Sequence, residues 1–296
     1  MKRKLLSILL TFCLAFSLLP TAALADERPD TNLPAADENG VITLTNDVTI
    51  TGRQWVVAAG ETLTLDLSGY TVKISKYTAE KGQVLVKGTL TVKDSSKAGT
   101  GKICSDYTGT AGRVIDVENG TLILQSGKIT MDGMVNAGVA VSGSAVYIGG
   151  TGSFKMDGGE VAANNVRASS AVNVKSSSAS FEMTGGSVTA EASGNETSIY
   201  AVSGSSSSII KISAGTISAP TALSARTSNS TITGGTFTGA ISVKVRSISG
   251  GAFDTDVTSY CADGLMWENG QIVPLTETAA AAQIGNNFYT TFARAN

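Results

Sequence analysis

The chain has 296 residues, a formal charge of −2 at neutral pH and no histidine. Without an imidazole there is no Ser-His-Asp or Cys-His nucleophile activation, and the commonest zinc ligand is missing. The mildly acidic balance argues against nucleic acid as a partner, because phosphates call for a basic footprint.

Residues 1–25 read as a secretory signal peptide. Lys2, Arg3 and Lys4 form a basic start, Leu5–Leu19 is almost wholly apolar, and Ala23-Leu24-Ala25 is an A-x-A cleavage site. Cys13 lies inside the apolar stretch, away from the cleavage point, which argues against a lipoprotein. Cleavage after Ala25 removes three basic residues, takes the charge from −2 to −5 and predicts a secreted or cell-surface protein. No later hydrophobic run is long enough to span a bilayer, so no membrane span is expected after cleavage. Cys104 and Cys261 then remain, about six repeats apart. At strand spacing that is about 30 Å, too far for a disulfide, and both read as small core residues.

After a lead-in or cap at 26–45, one phrase recurs: an apolar residue, a short corner ending in glycine, and another apolar residue two positions on. It occupies Leu124–Ile129, Met156–Val161, Met183–Val188, Ile212–Ile217, Ile232–Phe237 and Ile248–Phe253. The corner glycines 127, 159, 186, 215, 235 and 251 lie 32, 27, 29, 20 and 16 residues apart. Such a period marks a solenoid, in which each unit buries its apolar face against the next. Each unit contains three short alternating strands. The first ends at Val57, Val86, Val117, Ile148, Val174, Val202, Ala225 and near Val243. The second turns Leu63, Leu90, Leu122, Phe154, Phe181 and their neighbours inward, and the third does so with Ile103, Ile129, Val161, Val188, Ile217, Phe237 and Phe253. Strands of one type are a whole coil apart, so they stack in parallel. The stack spans 46–256 in about eight coils and about 40 Å. Residues 257–275 are expected to close it, 277–283 are the one helical stretch expected, and 276–296 form a linker or the start of a further repeat.

The segments Gly60–Ile74, Thr89–Ile103 and Gly250–Gly264 resemble the pectin-lyase-like right-handed parallel β-helix repeats of large secreted and surface proteins in Gram-positive bacteria. The resemblance covers about residues 40–275. It implies an all-β, right-handed, single-stranded parallel β-helix in an extracellular, adhesin-like setting. Proteins of that fold also include polysaccharide lyases and glycoside hydrolases. Ala279–Asn296 looks like the opening phrase of a further repeat domain, so the chain is open to being a piece of a longer protein.

Carboxylate chemistry is what the missing histidine leaves. A hydrolase needs two carboxyls about 5–9.5 Å apart over one groove, and a lyase needs acidic calcium ligands beside a base. The outward column of the first strand is expected to read Leu85, Asp116, Tyr147, Asn173, Ala201 and Ser224, with one carboxylate. No catalytic residue, metal or cofactor is therefore assigned. Asp116, Tyr147 and Asn173 form the candidate ligand site, a ring flanked by hydrogen-bonding groups on which a sugar of an extracellular polysaccharide or cell-wall glycan can stack. The plain alternative is a tyrosine covering the sheet, with Arg113 in a salt bridge or solvated. The second-strand column Thr91, Ile123, Lys155, Glu182 and Lys211 reads as a charge ladder that sets register. The longest loops, Ser105–Gly112, Asp132–Ser144, Ala163–Ser170 and Glu191–Ser198, are expected along one edge, carrying Tyr107, Asp132, Asn136, Asn164, Asn165, Arg167, Glu191, Asn195 and Glu196. Three functions stay open: a monomeric, non-enzymatic surface module that is adhesin-like or a spacer, a polysaccharide lyase or hydrolase, and a structural fragment of a larger surface protein.

Overall fold

A computed structural model of the chain describes residues 32–51, 54–75, 82–105, 111–132, 142–166, 170–192, 198–225, 229–284 and 287–290. The signal-peptide reading lies outside these residues. The described chain is a parallel β-helix with three faces. On the second face, Val41–Thr43 stacks on Thr62–Asp66, then Thr89–Lys93, Thr121–Leu124, Ser153–Met156, Ser180–Met183 and Ile209–Ile212, all parallel. The stack continues through Asn229–Val243 and Ile248–Phe253. Stacking therefore opens at Val41, inside the segment assigned to the lead-in.

The register is set by which residues each strand turns inward. Leu63, Leu90, Leu122, Phe154, Phe181 and Ile210 follow one another directly across successive coils, each at most 8% exposed. The third face has the matching ladder Val72, Ile103, Ile129, Val161, Val188, Ile217, Phe237 and Phe253. Because side chains alternate with period two, a one-residue slip would turn every one of these outward. Stacked rings fill the interior at two levels: Phe154 on Phe181 with centroids 5.3 Å apart, and Phe237 on Phe253 at 4.7 Å.

The corner between the second and third faces requires glycine. Gly186 has φ of 83°, and a Cβ there would lie 2.6 Å from the Gly159 carbonyl oxygen and 2.7 Å from Met156 Cε. Backbone freedom and close coil-to-coil approach thus demand the same residue. In the early coils, Asp94 does comparable work through hydrogen bonds. Its carboxylate accepts the N–H groups of Gly69 from the preceding coil (2.8 Å), Ser96 (3.1 Å) and Gly101 (2.6 Å). Partial burial pushes its pKa up, but these hydrogen bonds outweigh it and hold the carboxyl below the ordinary aspartate value.

Four sequence expectations change. On the first face Val172 pairs with Val202 and Val174 with Gly204, so Gly204 takes the inward place assigned to Val202 as the strand end. A side chain there would meet Ile210 Cδ1 at 2.7 Å, which explains the glycine. The same register places Ser203 beside Asn173, so Ala201, fully buried, leaves the outward column. Cys104 is half-exposed while Cys261 is buried, because Cys104 follows the inward Ile103 and alternation points it outward. Residues Glu277–Ala279 form a single 3-10 turn and Ala282–Ile284 a strand, so the alanine run has no helical face to bury.

An antiparallel hairpin, Leu265–Glu268 with Gln271–Pro274, lies on the last coil. Gln271 pairs with Ala252, Phe253 N–H donates to the Gly270 carbonyl (2.8 Å), and Trp267 Nε1–H donates to the Phe253 carbonyl (3.0 Å). Among the described residues no helix is long and apolar enough to cross a membrane.

Candidate functional site

The first-face strands Ala111–Glu118, Ser142–Gly149 and Ser170–Val174 bring the three candidate residues into one column. Asp116 lies directly beside Tyr147, and Tyr147 beside Asn173. The column runs from Leu85 through these residues to Ser203, Ser224 and Ser242.

The column is not open to solvent at its acidic end. Asp116 is 3% exposed and Leu85, its neighbour in the preceding coil, is 4% exposed. Arg113 Nη1–H donates to Asp116 Oδ2 at 2.7 Å, and the Gly82 N–H also donates to this carboxylate. Gly82 can come this close because it has no side chain: a Cβ there would stand 2.8 Å from the Asp116 amide nitrogen. The Arg113 guanidinium then lies over the Tyr147 ring, its carbon 3.3 Å from the centroid. A partly buried cation–π contact of this kind contributes about 1 kcal/mol. One arginine thus joins a buried acid of one coil to an aromatic ring of the next.

Burial pushes the Asp116 carboxyl above the ordinary aspartate range. The Arg113 and Gly82 hydrogen bonds pull the other way without cancelling it, and the nearby charge of Glu118 adds to the rise. Sequence reasoning missed Glu118, which follows Asp116 by two residues and so shares its face. The alternation was the available signal. A raised carboxyl suits a proton donor, but a donor must come within about 2.6–3.2 Å of substrate. The lone pairs of Asp116 face Arg113 and Gly82 instead.

Of the expected loop residues, Asp132, Asn164 and Glu191 belong to strands. Asn164 Nδ2–H donates to Asp132 Oδ1 (2.8 Å) across directly paired positions, and Thr130 donates to Oδ2 (2.9 Å). The Asn165 side chain, Tyr107, Asn136, Arg167, Asn195 and Glu196 lie outside what is described. On the second face, Lys155, Glu182 and Lys211 occupy successive registers, whereas a close ion pair, Lys128–Glu160 at 2.8 Å, forms on the third. The third face also holds a groove of about 400 Å³ with Thr49, Thr71, Lys73, Lys102 and Cys104 in its lining. Sequence reasoning did not find it. Asp47 in the same wall is tied to the Thr71 N–H at 2.8 Å. Among the described residues no group of three or more acidic or cysteine side chains could hold a metal ion.

No protein-family model matches this chain, and no curated protein or solved structure matches it.

Proposed function

We propose that the chain is an exported, non-enzymatic β-helical module of the bacterial surface, a rigid spacer or adhesin-like display surface whose side contacts a glycan. The pectin-lyase-like resemblance and the signal-like residues 1–25 supply the setting. The observation that carries the reading is the Asp116–Arg113–Tyr147 contact, a 2.7 Å ion pair under a 3.3 Å ring contact. It turns the one acidic position of the first-face column into a clasp between coils, and the column continues in Asn173 and serines. The contrary reading, a lyase or hydrolase, draws on the raised carboxyl of Asp116 and on Glu118 beside it.

The test is a polysaccharide panel read for reducing ends and unsaturated products, run beside a glycan array. The module reading expects no turnover and array binding that falls on Tyr147→Ala. Turnover abolished by Asp116→Asn would replace it with the enzyme reading. Export is tested separately by finding a chain that begins at Asp26 outside the cell.

A further inference from the structure

The dipeptide Asn-Gly occurs at 39–40, 119–120 and 269–270, each time after a glutamate, and the three copies are held differently. At Asn39-Gly40, the Gly40 N–H donates to the Asp37 carbonyl at 3.0 Å. At Asn119-Gly120, Asn119 Oδ1 accepts the Thr151 N–H at 2.9 Å and its hydroxyl at 3.3 Å, which ties the carboxamide to the next coil. Asn269-Gly270 is the two-residue tip of the closing hairpin, with both residues at positive φ (48° and 88°). Positive φ at both positions marks the type I′ turn that favours Asn-Gly. Asn269 is exposed.

We propose that Asn269 is a site of spontaneous deamidation that loosens the closing hairpin at the end of the solenoid. The Gly270 amide nitrogen, losing its proton to solvent base, attacks Asn269 Cγ. A C–N bond forms, the C–NH₂ bond breaks and ammonia leaves, giving a five-membered succinimide. Water opens the ring at either carbonyl and yields aspartate or isoaspartate. Neither step needs an oxidant or a cofactor. At position 39 the attacking N–H is occupied, and at 119 the carboxamide is held away, so both react more slowly in the folded chain.

The consequence follows from what the tip holds. Gly270 provides the carbonyl that accepts Phe253 N–H, and Gln271 is the residue paired with Ala252. Isoaspartate adds a carbon to the backbone immediately before these two contacts and displaces both. The hairpin then holds the terminal coil more weakly, keeping the Trp267 Nε1–H bond to the Phe253 carbonyl where Phe253 stacks on Phe237.

The experiment is incubation of the whole purified protein at mildly alkaline pH, with peptide mapping by mass spectrometry and isoaspartate labelling by a methyltransferase. The denatured chain is incubated in parallel. We expect similar rates at all three sites when denatured, and in the folded protein conversion at Asn269 several-fold faster than at Asn39 or Asn119. We also expect the Phe253 amide to exchange hydrogen several-fold faster in the isoaspartate fraction, with Asn269→Gln preventing both changes. Native conversion at Asn39 or Asn119 as fast as at Asn269 overturns the proposal, as does isoaspartate at position 269 that leaves Phe253 exchange unaltered.

Discussion

The coils up to residue 192 and those from residue 200 onward build the same interior from very different lengths of chain. Gly127 and Gly159 are 32 residues apart, whereas Gly235 and Gly251 are 16 apart. In the late coils single strands, Thr216–Ala225 and Asn229–Val243, run through the corners from face to face. In the early coils longer stretches of sequence separate the third-face strand from the next first-face strand, as between Asp132 and Ser142, yet Ile129, Val161, Val188, Ile217 and Phe237 still follow in direct register. The inward ladder therefore keeps its register whatever the length of chain between one third-face strand and the next first-face strand. The Asp116–Arg113–Tyr147 clasp belongs to the long-coil region, where Leu85 in the outward column is followed by the larger polar side chains of Asp116, Tyr147 and Asn173. In the short coils the same column holds Ser203, Ser224 and Ser242.

The largest effect expected comes from the shared interior. Phe181→Ala should cost about 3–5 kcal/mol by chemical denaturation. If long and short coils form one cooperative unit, that loss should appear as a single shifted transition by every probe. Two transitions would divide the molecule at the point where the coils shorten.

Next comes the corner. Gly186→Ala combines strained φ with crowding and should cost about 2–4 kcal/mol. Gly60→Ala is the control, since Gly60 shares φ of 83° but a Cβ there meets nothing within 4 Å. It should cost about 1–2 kcal/mol. Equal losses would remove close coil approach as a reason for the corner glycines.

The clasp should respond to pH. Arg113→Ala leaves a buried carboxylate without its cation and should cost about 2–3 kcal/mol near neutral pH. Because the folded pKa of Asp116 is raised, the folded protein takes up this proton before the unfolded chain does. The penalty should therefore shrink as pH falls through the raised value toward the ordinary aspartate value of about 3.9. Asp94 is lowered and has the opposite sign: its contribution is present above about pH 3.9 and is lost as pH falls through the depressed value. Urea denaturation across acid pH should show the losses from Arg113→Ala and from Asp94→Asn both shrinking as pH falls, the first because Asp116 gains a proton and the second because wild-type Asp94 gives up its stabilising charge.

The smallest effect is Glu160→Gln. Lys128 and Glu160 are 42% and 34% exposed, so the ion pair should contribute only about 0.2–1 kcal/mol and less in high salt.

The ladders and the corner glycines were legible because alternation and a fixed phrase state them directly: every third-strand residue assigned inward, from Ile103 to Phe253, is buried. The site was legible only as a column. That Asp116, Tyr147 and Asn173 are neighbours follows from register. That Arg113 bends three residues along its own strand to seal Asp116, and that Gly82 fits against it, depends on three-dimensional approach that no period encodes. Ala201 was misplaced because the first strand of that coil ends in Gly204, an inward position that no apolar side chain marks.

The parallel stack is tested most directly by pairs of spin labels along the second-face column, with one label fixed at Thr91. Labels at Glu182, Lys211 and Thr231 stand three, four and five coils away in register. The account predicts backbone separations of about 14, 19 and 24 Å, rising by one strand spacing per coil. Distances that fail to rise in that order would contradict it.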